Sequence, residues 1–234
     1  MQPSDWSKYN ITAPVDSRLP GGGGYPVNGL YDIAPNLVGQ VTNQVQSAAN
    51  YGLHYQYWDG VDINFSVRPI HGVAFQGGTS TGQTVQDFCE VANALPESLL
   101  PTQNTGIGFS IPGISILNGG TVGSTPTAYC HVTSGFLTDF RGLSSYQVPK
   151  VDVEIGVTFQ SKPGARLAAN YPVPAAVIAQ SLGRPPAGNV ANVTVNLIQP
   201  GTLYGDRINE LDLRIAKVLR FGRQKARVQW ISTI

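Results

Sequence analysis

The sequence predicts an all-β protein made of long antiparallel hairpins of the β-barrel type, forming a partial or small barrel or a curved sheet. Three stretches alternate between apolar and polar residues, which is the period of a strand with one apolar face. Turns of a few residues join the strands within each stretch, whereas connections of about 40 residues join one stretch to the next. Charged residues make up only 12% of the 234 residues, against about 25% in a typical globular chain.

This composition argues against several classes of protein. A coiled coil or helical bundle would be rich in Ala, Glu, Lys and Leu, and this chain is instead rich in glycine and proline. The net charge of +1 argues against a nucleic-acid partner bound by bulk charge. No run of 18 apolar residues predicts a transmembrane helix. The first residues have neither the basic nor the apolar region of a secretion signal, so no signal peptide is expected in this chain.

Residues 44–234 are expected to form an antiparallel β region with three hairpins. The first begins with Val61–Val67, in which every second residue is apolar, and the second contains the most regular alternation of the chain, Val151–Phe159. The third carries most of the basic residues near its turn, which we interpret as a solvated turn. The expected hairpins lie at about residues 55–87, 136–162 and 208–234.

The remaining stretches are predicted to be loops because turn-forming residues dominate them. Residues 1–43 form a loop-rich N-terminal segment with several prolines and a run of four glycines. Long loops are expected at 88–135 and 163–207, with a possible added strand at Val193–Leu197.

Cys89 and Cys130 are the only cysteines of the chain. They are either two separate buried thiols or a disulfide, and the disulfide is favoured because their flanking segments are long, polar and rich in glycine. Such a bridge would contribute roughly 3–4 kcal/mol and would imply an oxidising compartment. The histidines His54, His71 and His131 have no metal-ligand spacing, so neither a metal nor another cofactor is predicted.

Short turns that alternate with long loops are typical of bacterial outer-membrane β-barrels. In such a barrel the apolar face contacts lipid and the polar face lines the lumen. A soluble β-sandwich binding module is the alternative, because there the apolar face is the core. Alternation within the strands does not separate the two, whereas the loop lengths favour the barrel.

Several motifs in collinear order resemble a known family. The main ones are Tyr57–Asn64, Phe75–Gly82, Tyr129–Val132, Val148–Val153 and Leu211–Lys217. Together with shorter matches they make the chain similar to TonB-dependent outer-membrane receptors that carry a carboxypeptidase-regulatory-like domain. Members are several times longer, so the resemblance implies an internal portion of the C-terminal half of their β-barrel.

The resemblance implies what the parent protein does and where it is found. It would lie in the outer membrane, contact the lipid bilayer, and bind and transport a small-molecule nutrient such as a siderophore or an oligosaccharide. No catalysis is expected of this portion. An isolated portion would have two open sheet edges, which favour self-association.

A serine hydrolase of esterase type is the alternative function. Gly78–Gly82 has the Gly-x-Ser-x-Gly pattern of a nucleophile elbow, which requires a strand before the serine and a helix after it. In this hypothesis Ser80 is the nucleophile, His131 the general base, and Asp87 or Asp139 orients the histidine.

Aromatic and acidic residues provide the remaining candidates. Tyr55, Tyr57 and Trp58 could stack on a sugar ligand, but they equally resemble the aromatic girdle of a membrane barrel. Asp152 and Glu154 lie on the polar face of a predicted strand, where we expect them to line the lumen or face solvent.

Overall fold

The computed structural model describes residues 2–40, 44–100, 123–222 and 224–233. The strands, in chain order, are β1 (Trp6–Thr12), β2 (Pro26–Ile33), β3 (Tyr55–Val67), β4 (Val73–Asp87), β5 (Gly123–Ser124), β6 (His131–Thr133), β7 (Leu137–Val148), β8 (Val153–Lys162), β9 (Asn170–Pro174), β10 (Asn192–Asn196), β11 (Ile208–Phe221) and β12 (Gln224–Thr233). The helices are α1 (Cys89–Ala94) and α2 (Ala175–Leu182). Single 3₁₀ turns lie at Pro3–Asp5, Pro20–Gly22, Pro35–Leu37, Ala48–Asn50, Pro96–Leu99, Thr127–Cys130 and Ala187–Asn189. Among the described residues, no helix has the length and hydrophobicity needed to cross a membrane.

The chain forms two compact units, and each takes three separate stretches of sequence. The first unit comprises Met1–Tyr57, Thr84–Ser134 and Arg166–Leu203. The second unit comprises Trp58–Gln83, Gly135–Ala165 and Tyr204–Ile234. Most of the long connections lie in the first unit, and the hairpins lie in the second except for the first residues of β3 and the last residues of β4. The sequence had predicted a division after residue 43.

The three predicted hairpins are present with nearly the predicted bounds. They are β3–β4, β7–β8 and β11–β12, and they form one antiparallel sheet in the order β12-β11-β8-β7-β4-β3. The long strands, of 10 to 15 residues, follow from the sustained alternation in the sequence. Among the described strands none joins β3 to β12, so the sheet is open. The all-β antiparallel class is therefore confirmed, in its curved-sheet form.

The cross-strand register gives the second unit one apolar and one polar face. In an antiparallel pair, residues directly opposite each other lie on the same face, and Ile215 is opposite both Ile155 and Trp230. The large apolar side chains of this face are 38–63% exposed. They include Val61, Ile63, Phe65, Val67, Phe75, Phe140, Tyr146, Phe159, Leu211, Ile215, Val228 and Trp230.

The predicted loops contain more regular structure than the sequence indicated. Residues 1–43 hold the antiparallel pair β1–β2, and residues 163–207 hold β9, α2 and β10. The strand predicted at Val193–Leu197 is present as β10, which pairs with β9 and in parallel with β5. Residues 101–122 of the predicted loop 88–135 lie outside the described residues.

The first unit has its own hydrophobic core. A larger cluster of buried side chains comprises Tyr9, Ile11, Ala13, Leu19, Val27, Leu30, Val173, Ile178, Val193, Val195, Leu197 and Ile198. A second cluster comprises Trp6, Tyr31, Phe88, Ala92, Leu99 and Cys130. The elements that hold these side chains are short, so packing between segments distant in sequence stabilises them more than their own propensity does.

An ion pair joins β2 to the segment after α2. Arg184 Nη1 donates to Asp32 Oδ2 at 2.5 Å, and the backbone N–H of Ala187 donates to both carboxylate oxygens at 3.1 Å. The Asp32 side chain is only 12% exposed. The carboxylate therefore ties two segments about 150 residues apart in sequence.

We expect Asp32→Asn to lower the free energy of unfolding of the first unit by roughly 2 kcal/mol, because hydrogen bonds to a partly buried charged group are lost or weakened. Denaturant unfolding followed by fluorescence of the buried Trp6, with Trp58 and Trp230 replaced by phenylalanine, measures this change. The control is Asp16→Asn, which removes the carboxylate from the exposed Asp16–Arg18 pair and should have a much smaller effect. Equal effects of the two substitutions would contradict the prediction.

Candidate functional site

The predicted disulfide between Cys89 and Cys130 is confirmed. Cys89 is the first residue of α1, and Cys130 directly precedes β6. Next to the disulfide, the last residues of β4 pair with β6, and in this pairing Asp87 lies directly opposite His131. The bridge and this short ladder therefore hold the two side chains next to each other.

Tyr55, Asp87 and His131 form a cluster beside the disulfide in the first unit. His131 Nδ1 lies 2.8 Å from Asp87 Oδ2, and the Tyr55 hydroxyl donates to the same oxygen at 3.5 Å. The other carboxylate oxygen, Oδ1, accepts the backbone N–H of Cys89 at 2.9 Å. Oδ2 is thus the point on which the phenol and the imidazole converge.

The electrostatics of the cluster favour an ionised carboxylate. Partial burial by itself raises the pKa of Asp87, but the Cys89 N–H and the His131 ring outweigh this effect and hold that pKa below its ordinary value. The pKa of the Tyr55 phenol is raised, first by desolvation and then by the neighbouring Asp87 charge. At neutral pH the cluster therefore presents a carboxylate next to a protonated phenol.

The three aromatic candidates are not brought together on one surface. The rings of Tyr55 and Tyr57 stack with centroids 5.8 Å apart. The Trp58 ring instead packs against Gly60 and Gly82, where a side chain at either position would overlap the ring. Successive residues of a strand point to opposite faces, so Trp58 and Tyr57 do not form one stacking platform.

The geometry at Ser80 differs from the predicted nucleophile elbow. Strand β4 runs without interruption through Gly78–Gly82, and the next helix begins only at Cys89. Ser80 is directly opposite Asp139 on β7. The elbow requires a sharp turn at the serine, and the glycines here lie within a regular strand instead.

The structure decides which aspartate pairs with His131. Asp87, and not Asp139, contacts the imidazole. Ser80 belongs to the second unit, while His131 and Asp87 belong to the first. The acid–base half of the predicted triad is therefore present as a pair, whereas the hydrolase itself stays a prediction.

The polar face of the second unit carries ion pairs between strands. Glu154 on β8 accepts from Arg214 on β11 and from Arg227 on β12, the latter at 2.5 Å. Asp152, in the turn before β8, pairs with Arg220 at 2.7 Å. The basic residues near the last turn are thus partly neutralised by the two acidic residues expected to lie on this face.

A cleft of about 700 Å³ lies on the same sheet. Its polar lining comes from four adjacent strands and includes Asp62, Asn64, Gln76, Ser80, Asp139 and Arg141. One carboxylate oxygen of Asp139, Oδ1, is buried without a hydrogen-bond partner. The cleft offers hydrogen-bond donors and acceptors, and its geometry does not select one ligand.

Comparisons of the chain with protein-family models, curated proteins and solved structures find no match. The resemblance to TonB-dependent receptors therefore stays a prediction.

Sequence reasoning missed the position of Tyr55 beside Asp87 and His131. The sequence contained one indication of the pair: Asp87 lies two residues before Cys89 and His131 directly follows Cys130, so a disulfide between these cysteines brings Asp87 and His131 close together.

Proposed function

We propose that this chain forms part of the wall of an outer-membrane β-barrel of the TonB-dependent receptor type. In the parent protein the wall would enclose the path of a scarce nutrient such as a siderophore or an oligosaccharide, without catalysis by this portion. The observation that supports the proposal is the exposed apolar face formed by the six long strands of the sheet. The proposal assigns this face to lipid and the opposite face to the lumen.

The extent of the apolar face favours lipid as its environment. Val61, Ile63, Val228 and Trp230 are each 55–63% exposed and lie on strands at opposite ends of the sheet. Soluble monomers rarely expose apolar patches larger than a few hundred Å². A β-sandwich would cover such a face with a second sheet, and the described residues of the second unit form one sheet only.

The strand lengths agree with a membrane span. The shortest of the six strands has 10 residues. At about 3.3 Å per residue and a tilt of about 40°, such a strand spans roughly 25 Å. This is about the height of the apolar band of outer-membrane barrels.

The polar face is suited to a water-filled lumen. Its charged groups pair across strands, as Glu154 does with Arg214 and Arg227. The cleft between Asp62 and Gln160 offers the polar groups that a hydroxyl-rich ligand would bind. Strands β3 and β12, at the ends of the described sheet, would pair with further strands of the wall or with a second copy.

Tryptophan fluorescence tests the proposal. Trp230 lies on the apolar face and Trp6 in the core of the first unit. One variant keeps only Trp230 (Trp6→Phe, Trp58→Phe), and a matched variant keeps only Trp6 (Trp58→Phe, Trp230→Phe). Each is refolded with phospholipid vesicles whose acyl chains carry bromine, a contact quencher. We expect several-fold stronger quenching of Trp230 than of Trp6.

Circular dichroism confirms β structure in both variants before quenching is compared. Equal quenching of the two tryptophans would contradict the assignment of the apolar face to lipid. The proposal would also fail if the unaltered chain folds as a monomer in buffer and does not associate with vesicles.

A further inference from the structure

We propose that Tyr55, Asp87 and His131 form a binding site for a divalent first-row transition-metal cation. The site lies in the first unit and does not depend on the proposed function. No three side chains of the types His, Cys, Asp and Glu cluster within the described ranges. The third donor of this group is instead a phenol, Tyr55.

The donor atoms are close enough to share one ion. Bonds from Zn²⁺ to imidazole nitrogen and to carboxylate oxygen are about 2.0–2.2 Å long, so two ligands of one ion lie at most about 4.2 Å apart. His131 Nδ1 and Asp87 Oδ2 are 2.8 Å apart, and Tyr55 Oη and Asp87 Oδ2 are 3.5 Å apart. Both distances lie within this limit.

The two main donors are already positioned. Asp87 and His131 are opposite residues of the β4–β6 ladder, and the Cys89–Cys130 disulfide joins the chain just beyond them. The Cys89 N–H holds Asp87 Oδ1, so that Oδ2 is the oxygen directed at His131 and Tyr55. A hydrogen bond of this kind orients a metal ligand and increases the affinity of the site.

A cation can reach the donors from solvent. The His131 side chain is 48% exposed and that of Asp87 is 23% exposed. The carboxylate supplies a negative charge at the point where the imidazole and the phenol converge. Water molecules would complete the coordination of the ion on the exposed side.

Metal binding at this position replaces the hydrogen bond between His131 Nδ1 and Asp87 Oδ2. Each of these atoms gives a lone pair to the ion, and a proton held between them is taken up by Nε2 of the same ring or by solvent. Tyr55 Oη binds through a lone pair as a neutral hydroxyl and keeps its proton. Imidazole and oxygen donors suit Cu²⁺, Ni²⁺ and Zn²⁺, and affinity should be greatest for Cu²⁺.

Equilibrium dialysis of the full chain, with its disulfide intact, against Zn²⁺ and Cu²⁺ tests the proposal. We expect one cation per chain at this site and tighter binding of Cu²⁺. The variants His131→Gln and Asp87→Asn should each weaken binding at least about tenfold. Tyr55→Phe removes only the hydroxyl and should weaken binding several-fold without changing the fold. The control is His71→Gln, which replaces an exposed histidine in the turn between β3 and β4.

Thermal unfolding provides a second readout. A ligand that binds only the folded state raises the unfolding temperature, so Zn²⁺ should stabilise the unaltered chain and the His71→Gln variant, but not the His131→Gln variant. The proposal is overturned if the unaltered chain does not bind either cation. It is also overturned if His131→Gln and Tyr55→Phe bind as tightly as the unaltered chain, or if His71→Gln alone abolishes binding.

Discussion

Replacing both cysteines, in the double variant Cys89→Ala and Cys130→Ala, is expected to destabilise the first unit by about 4 kcal/mol. The disulfide closes a loop with a sequence separation of 41 residues. Without it, the unfolded chain gains the conformational entropy that this closure removes, which amounts to about 4 kcal/mol in the chain-entropy model. Cys130 also belongs to the smaller core cluster with Trp6 and Phe88, so the alanine adds a small packing loss.

Denaturant unfolding monitored by Trp6 fluorescence measures the effect. The cysteine substitutions are made in the variant whose other two tryptophans are replaced (Trp58→Phe, Trp230→Phe). A reducing agent should lower the unfolding midpoint of the protein with both cysteines and leave that of the double variant unchanged. This comparison separates the bridge from the packing of the side chains. An unchanged midpoint after reduction, with free thiols verified by alkylation, would contradict the prediction.

In a bilayer, Val157→Arg is expected to destabilise the second unit by about 2–4 kcal/mol. Val157 lies near the middle of the sheet, opposite Leu213 on β11 and Ser144 on β7. Under the proposed function its side chain contacts the hydrocarbon, and an arginine at the midplane of an outer-membrane barrel has a cost of this size. The prediction therefore tests two assignments: that the apolar face contacts lipid, and that Val157 lies near the midplane of the bilayer.

Thr158→Arg is the matched control, because residue 158 is the next residue of β8 and lies on the polar face opposite Asp212. We expect it to change stability by much less than Val157→Arg does. Urea unfolding of the vesicle-bound protein, followed by circular dichroism, compares the two variants. A larger effect of Thr158→Arg would indicate that the faces are assigned the wrong way round.

The hairpins could be predicted because their information is local. Alternation such as that of Val151–Phe159 determines both the strand and its faces, and a turn of a few residues determines its partner. The disulfide was predictable for a simpler reason, since the chain has only two cysteines. These features do not depend on contacts between distant segments.

The short elements of the first unit could not be predicted in the same way. Strand β5 has two residues and pairs in parallel with β10, about 70 positions later in the sequence. The alternation at Val193–Leu197 indicated a strand there, but the two residues of β5 are too few to show a periodic pattern, and nothing local indicated that the two would pair. Glycine and proline in residues 1–43 indicated turns correctly, but this composition gave no indication that β1 and β2 would pair as strands.

The sequence by itself determined the antiparallel all-β class, the three hairpins and the two faces of their sheet, because a period of two residues requires no distant partner. Only the tertiary structure decided that the long connections form a unit with its own core, that Asp87 pairs with His131, and that Tyr55 joins them. Those contacts link segments more than 30 residues apart in sequence, and local patterns do not encode which distant segments meet. The physical reason is that these contacts are stabilised by burial of apolar surface in a shared core, and that core exists only in the folded chain.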